Sequence, residues 1–448
     1  MQYLSVIIFM VLCLMTCVRP GWGFALLLLF FALEVAVQAS VDIFRSNPAL
    51  ANFLVAGVTF VALLRQTAVQ DRPFVGYFNT NMKLVCVLYG WSIVAVVWSP
   101  ALALTSQQGY NLILEGLPYF VLVILAMPML IGTITDWESS LNIALIAGSA
   151  VVISVLLNPE FTVKAGRIGI TLSGTVRTSP LAIGQMGGTL AIVGALYVPR
   201  LASNKLTLIL RVGAFVLGSL LALYSGSRGQ VLFAGIVIAM CLPLSRKIRD
   251  ARTFVGIFLL FGVLVVIAYL AFNFVVGNVD ANRWESKYVD GATDIRSANI
   301  TSLLVAFATT PSAWLIGLGF NAFSSVCSEL NQPYSHSTFI DIFAELGLPA
   351  FIVLIAILKR TYSAGKALMS FYGDSPSERS AIATLLALIV YQVFLANKEG
   401  QLWASVNLFM FMIVIDRLEC RCRELGEFGI NPKTVDTADT QELASSNR

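Results

Sequence analysis

Thirteen long apolar runs divide this chain, near 2–18, 21–40, 49–65, 82–98, 110–132, 141–157, 180–198, 206–224, 229–244, 253–276, 338–358, 381–396 and 402–416. Most approach the roughly 20 apolar residues that cross a bilayer as a helix. Hydrocarbon offers no water to an unpaired peptide group, so only helices and closed barrels satisfy the backbone there. Barrel strands are about half this length. The chain is therefore expected to be all-α, a polytopic membrane helix bundle of about twelve or thirteen transmembrane helices. One larger loop, 277–337, is expected to contain short helices. Composition agrees: 57% of the 448 residues are hydrophobic and 12% charged, against about 25% charged in soluble domains. So few charges cannot cover a water-facing surface.

The stretch Met1–Val18 has no small-residue cleavage pattern before Arg19-Pro20. It reads as a retained first span paired with the second in a tight hairpin, not as a removed signal peptide.

Charge placement predicts orientation. Arg246, Lys247, Arg249 and Arg252 crowd 245–252; Lys359, Arg360, Lys366 and Arg379 occupy 359–379; Arg417, Arg421 and Arg423 follow the last run. The positive-inside rule places these on the cytoplasmic side. The loops 158–179, 225–228, 277–337 and 397–401 then fall on the opposite face. The polar tail 424–448 is expected to be disordered and cytoplasmic. No basic stripe with interleaved aromatics lies outside the spans, so nucleic acid is not an expected partner.

Seven cysteines are present, mostly inside apolar runs where a thiol acts as a small hydrophobe. Cys420 and Cys422 flank Arg421 without a second pair, a poor zinc set. No metal or cofactor is expected.

Three basic groups break the orientation rule. Lys164, Arg167 and Arg177 face one Glu160 in the loop 158–179; Arg228 stands in Ser225-Gly226-Ser227-Arg228-Gly229; Arg283, Lys287 and Arg296 lie in 277–337. Cations where topology disfavours them point to an anionic ligand. Arg228 is the sharpest case. A cation beside the free N–H groups of a helix N-terminus is unfavourable unless an anion is present, and the glycines permit close approach. The plain alternative is snorkelling to lipid headgroups.

His336, the one histidine, precedes the run at 338. If imidazole moves a proton in this protein, it is this one, and nearby arginines would favour its neutral, basic form. An incidental interfacial histidine is the alternative. Asp341 and Glu345 follow at the start of that run; Glu345 either orients His336 or Arg228, or caps the helix that begins there. Glu34 and Glu115 pose the same question inside apolar runs. Ile300, Leu303, Leu304 and Phe307 recur at helical spacing, as in a helix lying on the membrane surface or packing on the bundle.

The motifs occur in a telling order: Gly166-Arg167, then SGTVRTSPLAIG (173–184), YSGSRGQ (224–230), DGATDIR (290–296), LIGLGFNAF (315–323) and HSTFIDIFAELGLPAF (336–351). This order resembles the O-antigen ligase and polymerase superfamily over roughly 160–355. The chain has His336-Ser337 where the family commonly has His-Asn, and Pro180-Leu181 where it commonly has Pro-Asn. The resemblance implies a metal-independent, inverting glycosyltransferase in the bacterial inner membrane, active at the periplasmic face and with its C-terminus cytoplasmic. Its implied partners are an undecaprenyl-diphosphate-linked glycan donor and a lipid A core or growing polysaccharide acceptor. Arg228, Arg167, Arg296 and Arg177 become diphosphate-binding candidates, with Arg167 and Arg177 alternatives for one family position. His336 becomes the catalytic candidate, with Glu345 and Ser227 in support. The expected division is 1–157 as N-terminal spans, 158–358 as catalytic region and 359–423 as C-terminal spans. A lipid-linked oligosaccharide flippase is the rival reading, although no repeated half with broken helices is visible.

Overall fold

A computed structural model describes residues 3–47, 49–70, 78–101, 117–158, 161–164, 167–172, 175–176, 180–200, 205–248, 250–276, 286–328 and 334–424. Glu115, Glu160, Arg177, Arg249, Arg283 and the tail 425–448 lie outside the described residues, as do the side chains of Lys164, Arg167 and Lys287.

Each of the thirteen apolar runs contains a helix. These are α1 (Leu4–Val18), α2 (Pro20–Ser40), α4 (Ala49–Gln70), α5 (Thr80–Val94), α6 (Leu117–Met129), α7 (Ile134–Leu156), α8 (Pro180–Leu196), α9 (Lys205–Tyr224), α10 (Arg228–Arg246), α11 (Ala251–Val276), α15 (Thr338–Phe371), α16 (Pro376–Glu399) and α17 (Val406–Glu424). Between them lie the short helices α3 (Asp42–Ser46), α13 (Ala313–Ile316) and α14 (Phe323–Val326), and α12 (Ser286–Thr309), which at 24 residues is longer than the short helices expected in that loop. The fold is an all-α polytopic membrane bundle. Among the described residues eight helices are long and apolar enough to cross a membrane, and α1, α6, α8 and part of α11 are shorter apolar helices. Asp416, Arg417 and Glu419 interrupt the apolar pattern of α17, and all three are buried.

The expected first hairpin is present: Ser5 Oγ near the start of α1 donates to Ala36 O (3.3 Å) near the end of α2. At the centre, α8 packs on α9, α10, α16, α2 and α7. The α8–α9 contact explains the small residues in both sequences. A methyl group at Gly187 would lie 2.7 Å from Gly218 O, and one at Gly194 2.8 Å from Arg211 O. The two backbones touch, which is how helices associate where lipid removes the hydrophobic drive.

The loop at 158–179 contains a feature the all-α reading did not anticipate. β1 (Phe161–Lys164), β2 (Arg167–Leu172) and β3 (Thr175–Val176) form an antiparallel meander in the order β1-β2-β3, with Lys164 opposite Arg167. The β-branched Thr162, Val163, Ile168, Ile170 and Thr171 suit extended backbone.

In 277–337, α12 carries Leu303 and Phe307 into a small second core with Ala313, Phe323, Cys327 and Ala344. The Phe307 and Phe343 rings stand 4.7 Å apart. The apolar stripe of α12 thus packs on α15, which decides between the two readings for Leu303 and Phe307. α15 itself breaks at Gly347 (φ 83°). Pro349 has no N–H for the carbonyl four residues back, and that carbonyl, Glu345 O, accepts from Gly319 N instead (2.9 Å).

The loops sort to two ends. Arg379 donates to Ser245 O (3.4 Å), Lys247 pairs with Asp374 (3.1 Å), and Arg360 pairs with Asp416 and Glu419. At the other end 225–229, 334–337 and 397–401 meet. Basic loops expected to share a side do share one.

Candidate active site at the start of α10

The motifs 173–184 and 224–230, distant in sequence, fold against one another. Gln230 Nε2 donates to Leu181 O (2.6 Å), and a methyl group at Gly184 would strike Gln230 and Ser225. The tight turn before α10 runs through Gly226, whose φ of 68° suits glycine. Ser227 and Arg228 are thereby fixed at the first turn of α10. Ser227 makes no side-chain cap on α10. Its Oγ instead accepts from Lys398 Nζ at 2.9 Å. A methyl group at Gly229 would lie 2.6–2.8 Å from the end of the Lys398 side chain. Glycine there lets Lys398 lie across the helix start, so two cationic side chains stand where the helix dipole is already positive.

His336 faces the same end. Its backbone is left-handed (φ 72°) and bridges Gly400, two residues beyond Lys398. Such a conformation is uncommon for a residue with a Cβ and persists only where its surroundings fix it. Here they do. Ser335 Oγ donates to buried Asp341 (2.5 Å) and accepts from Ser337 N (3.1 Å). Ser337 Oγ donates to Asn397 Oδ1 (3.1 Å), and Thr338 shares a hydrogen bond with Ser405 (2.7 Å). The Tyr334 ring meets the imidazole edge-to-face at 4.5 Å. Partial burial, then the charges of Arg296 and Lys398, hold the His336 pKa below the ordinary imidazole value. The ring is therefore a neutral base at neutral pH.

Gly400 has no room for a side chain: a methyl group would collide with Thr338 Oγ1 and Ala396 O. Gly400→Ala is expected to displace the segment that carries His336. Misplacing a reacting group by about 1 Å costs on the order of 10²-fold. Turnover of the purified variant measures this, and turnover within twofold of wild type would show that the bridge does not position His336.

Lys398 links the start of α10 to His336: it donates to Ser227 and, with Arg296, acts on the charge of His336, while Arg228 follows Ser227 in the first turn of α10. β2, which begins at Arg167, runs beside α8 and α2. Glu345 has a different place. Its carboxylate accepts from Asn321 N (2.9 Å) and Phe323 N (3.0 Å), capping α14 and anchoring the 317–323 loop. These bonds serve a helix other than the one Glu345 stands in, which neither reading open in the sequence described. Lys398 was missed, although it is the basic residue of the 397–401 loop and belongs with the other cations that break the orientation rule. At the far end Asp416, Glu419 and Cys420 approach metal-ligand spacing, but Arg360 and Arg423 already compensate the carboxylates.

A sequence model of the O-antigen ligase family matches residues 213–355. The matched interval contains Arg228, Arg296, His336 and Glu345 and leaves out Arg167, Arg177 and Lys398. That interval, less than half of the chain, is similar to the O-antigen ligase family and supports a ligase- or polymerase-type function broadly. No curated protein matches the chain.

Proposed function

We propose that the protein transfers a glycan from undecaprenyl diphosphate to an acceptor hydroxyl at the periplasmic face of the bacterial inner membrane, by an inverting, metal-independent reaction. The observation that carries this reading is the placement of a neutral imidazole in the field of Lys398 and Arg296, beside the start of α10. In the proposed step His336 takes the acceptor's hydroxyl proton as its oxygen bonds to the sugar's anomeric carbon. The bond from that carbon to the diphosphate oxygen breaks, and its electron pair leaves with the diphosphate. Arg228 and Lys398, with Arg296 and either Arg167 or Arg177, neutralise the charge that develops there; preorganised charge of this kind is usually a large catalytic effect. Ser227 orients Lys398. Attack from the face opposite the leaving group inverts the anomeric centre.

A lipid-linked donor also needs an apolar path beside the diphosphate. A crevice of about 220 Å³ lies between α8, α9, α10 and α11, lined by Val231, Ala234 and Ile238 of α10 and by Phe258, Phe261 and Val265 of α11. It begins one turn from Arg228 and supports this reading. The proposed catalytic region is 158–358, flanked by spans 1–157 and 359–423, with the basic loops and C-terminus cytoplasmic. The acceptor is lipid A core or a growing polysaccharide.

The pH profile tests the role of His336. Transfer should fall on the acid side with a midpoint below about 6.5, the ordinary imidazole value. Lys398→Met removes a positive neighbour, making protonation easier, so the acid limb should move to higher pH. A limb that stays in place, or moves lower, would exclude His336 as the titrating base near Lys398.

A further inference from the structure

We infer that the bundle holds a binding subsite for one uncharged sugar ring, directly inward of His336. This deepens the proposed function and rests on it. A cavity of about 350 Å³ reaches inward from Tyr334 and Gly400, the ring neighbour and the bridge partner of His336. Its wall includes the side-chain amides of Gln185, Gln392 and Asn407 and the hydroxyl of Tyr119, besides the hydroxyls of Tyr334 and Ser405. Among the described residues the Tyr119 hydroxyl is buried without a hydrogen-bond partner, and Gln392 is only 6% exposed. Polar groups inside a membrane bundle are costly unless something satisfies them. Three amides and a phenol offer donors and acceptors in several directions, which suits a ligand with several hydroxyl or acetamido groups.

Charge and shape narrow the ligand. Among the described residues the cavity wall contains no charged side chain, which suits a neutral ligand group, unlike the diphosphate expected at Arg228. Trp403 supplies a flat wall held in place: its Nε1 donates to Ser92 Oγ (3.2 Å) and its ring meets Tyr89 at 5.0 Å. An aromatic face beside amides recognises the two sides of a pyranose, one of C–H groups and one of hydroxyls. The volume sits near the low end of the roughly 300–1,000 Å³ of small-ligand pockets. It suits one ring with its substituents, not an oligosaccharide.

Binding to purified Gln392→Leu and Asn407→Leu proteins tests the subsite, with two probes: undecaprenyl diphosphate alone, and undecaprenyl diphosphate carrying one N-acetylhexosamine. Wild type should bind the sugar-bearing probe at least tenfold more tightly. Both variants should lose that gain while keeping wild-type affinity for the sugar-free lipid. If wild type gains nothing from the sugar-bearing probe over the sugar-free lipid, the subsite is overturned. If the sugar's gain survives in both variants, the subsite is wrong while the diphosphate reading stands. If wild type binds neither lipid, the proposed function itself fails. Because both amides line the cavity and neither is a buried unsatisfied group, the variants should melt close to the wild-type temperature. Lower melting of both would show that the protein itself needs these amides and would overturn the proposal.

Discussion

His336→Ala is expected to reduce glycan transfer by about 10²–10⁴-fold, the range that positioned proton transfer contributes, while leaving donor binding near the wild-type level. The asymmetry follows from the geometry. His336 is held by its backbone bridge to Gly400 and by hydrogen bonds on Ser335 and Ser337. Those contacts belong to the main chain and to neighbouring residues and do not need the imidazole. Alanine therefore removes the base and spares its support. Loss of kcat with KM unchanged is the kinetic form of removing an interaction made only in the transition state. A purified, well-folded His336→Ala protein that retains full transfer would remove His336 from the reaction.

Arg228→Ala has the second-largest expected effect. Removing one preorganised charge or donor from a developing oxyanion costs roughly 10²–10³-fold, and here the diphosphate is bound in the ground state as well. Both kcat and donor affinity should therefore fall, which separates this variant from His336→Ala. Arg228→Lys should recover only part of the loss, because an ammonium keeps the charge and gives up the planar two-pronged contact with phosphate oxygens. If Arg228→Ala changes neither parameter, the arginine serves the lipid headgroup region and the diphosphate lies elsewhere.

Much of the architecture was legible in the sequence, because membrane helices declare themselves by length and hydropathy alone. The helices of the expected runs are present, and the basic loops at 245–252 and 359–379 meet at one end, as charge placement required. Arg228 and His336 were legible for a local reason: each is a polar group whose place in an apolar chain needs explaining. The rest depended on contacts that no local pattern encodes. Lys398 reaches Ser227 across 171 positions, and nothing around 398 announces that partner. Glu345 drew notice as an acid at a membrane boundary, yet its partners are backbone N–H groups at Asn321 and Phe323, which carry no side-chain signature. The meander at 161–176 escaped the all-α reading because its strands are short, and short β-branched runs beside turns resemble loop sequence. The polar cavity was the least visible, since Gln185, Gln392 and Asn407 come from three helices and each reads singly as an ordinary span residue.

In the proposed function one centre, formed by His336 and the cations at the start of α10, breaks the bond between a glycan and undecaprenyl diphosphate. The most direct measurement is release of undecaprenyl diphosphate by the purified protein from a lipid-linked glycan, with lipid A core or a second lipid-linked glycan as acceptor. Wild type should release it in step with product, while His336→Ala and Arg228→Ala should not. Wild type that releases none with either acceptor, yet moves the intact lipid across reconstituted vesicles, would contradict the account and make the protein a transporter.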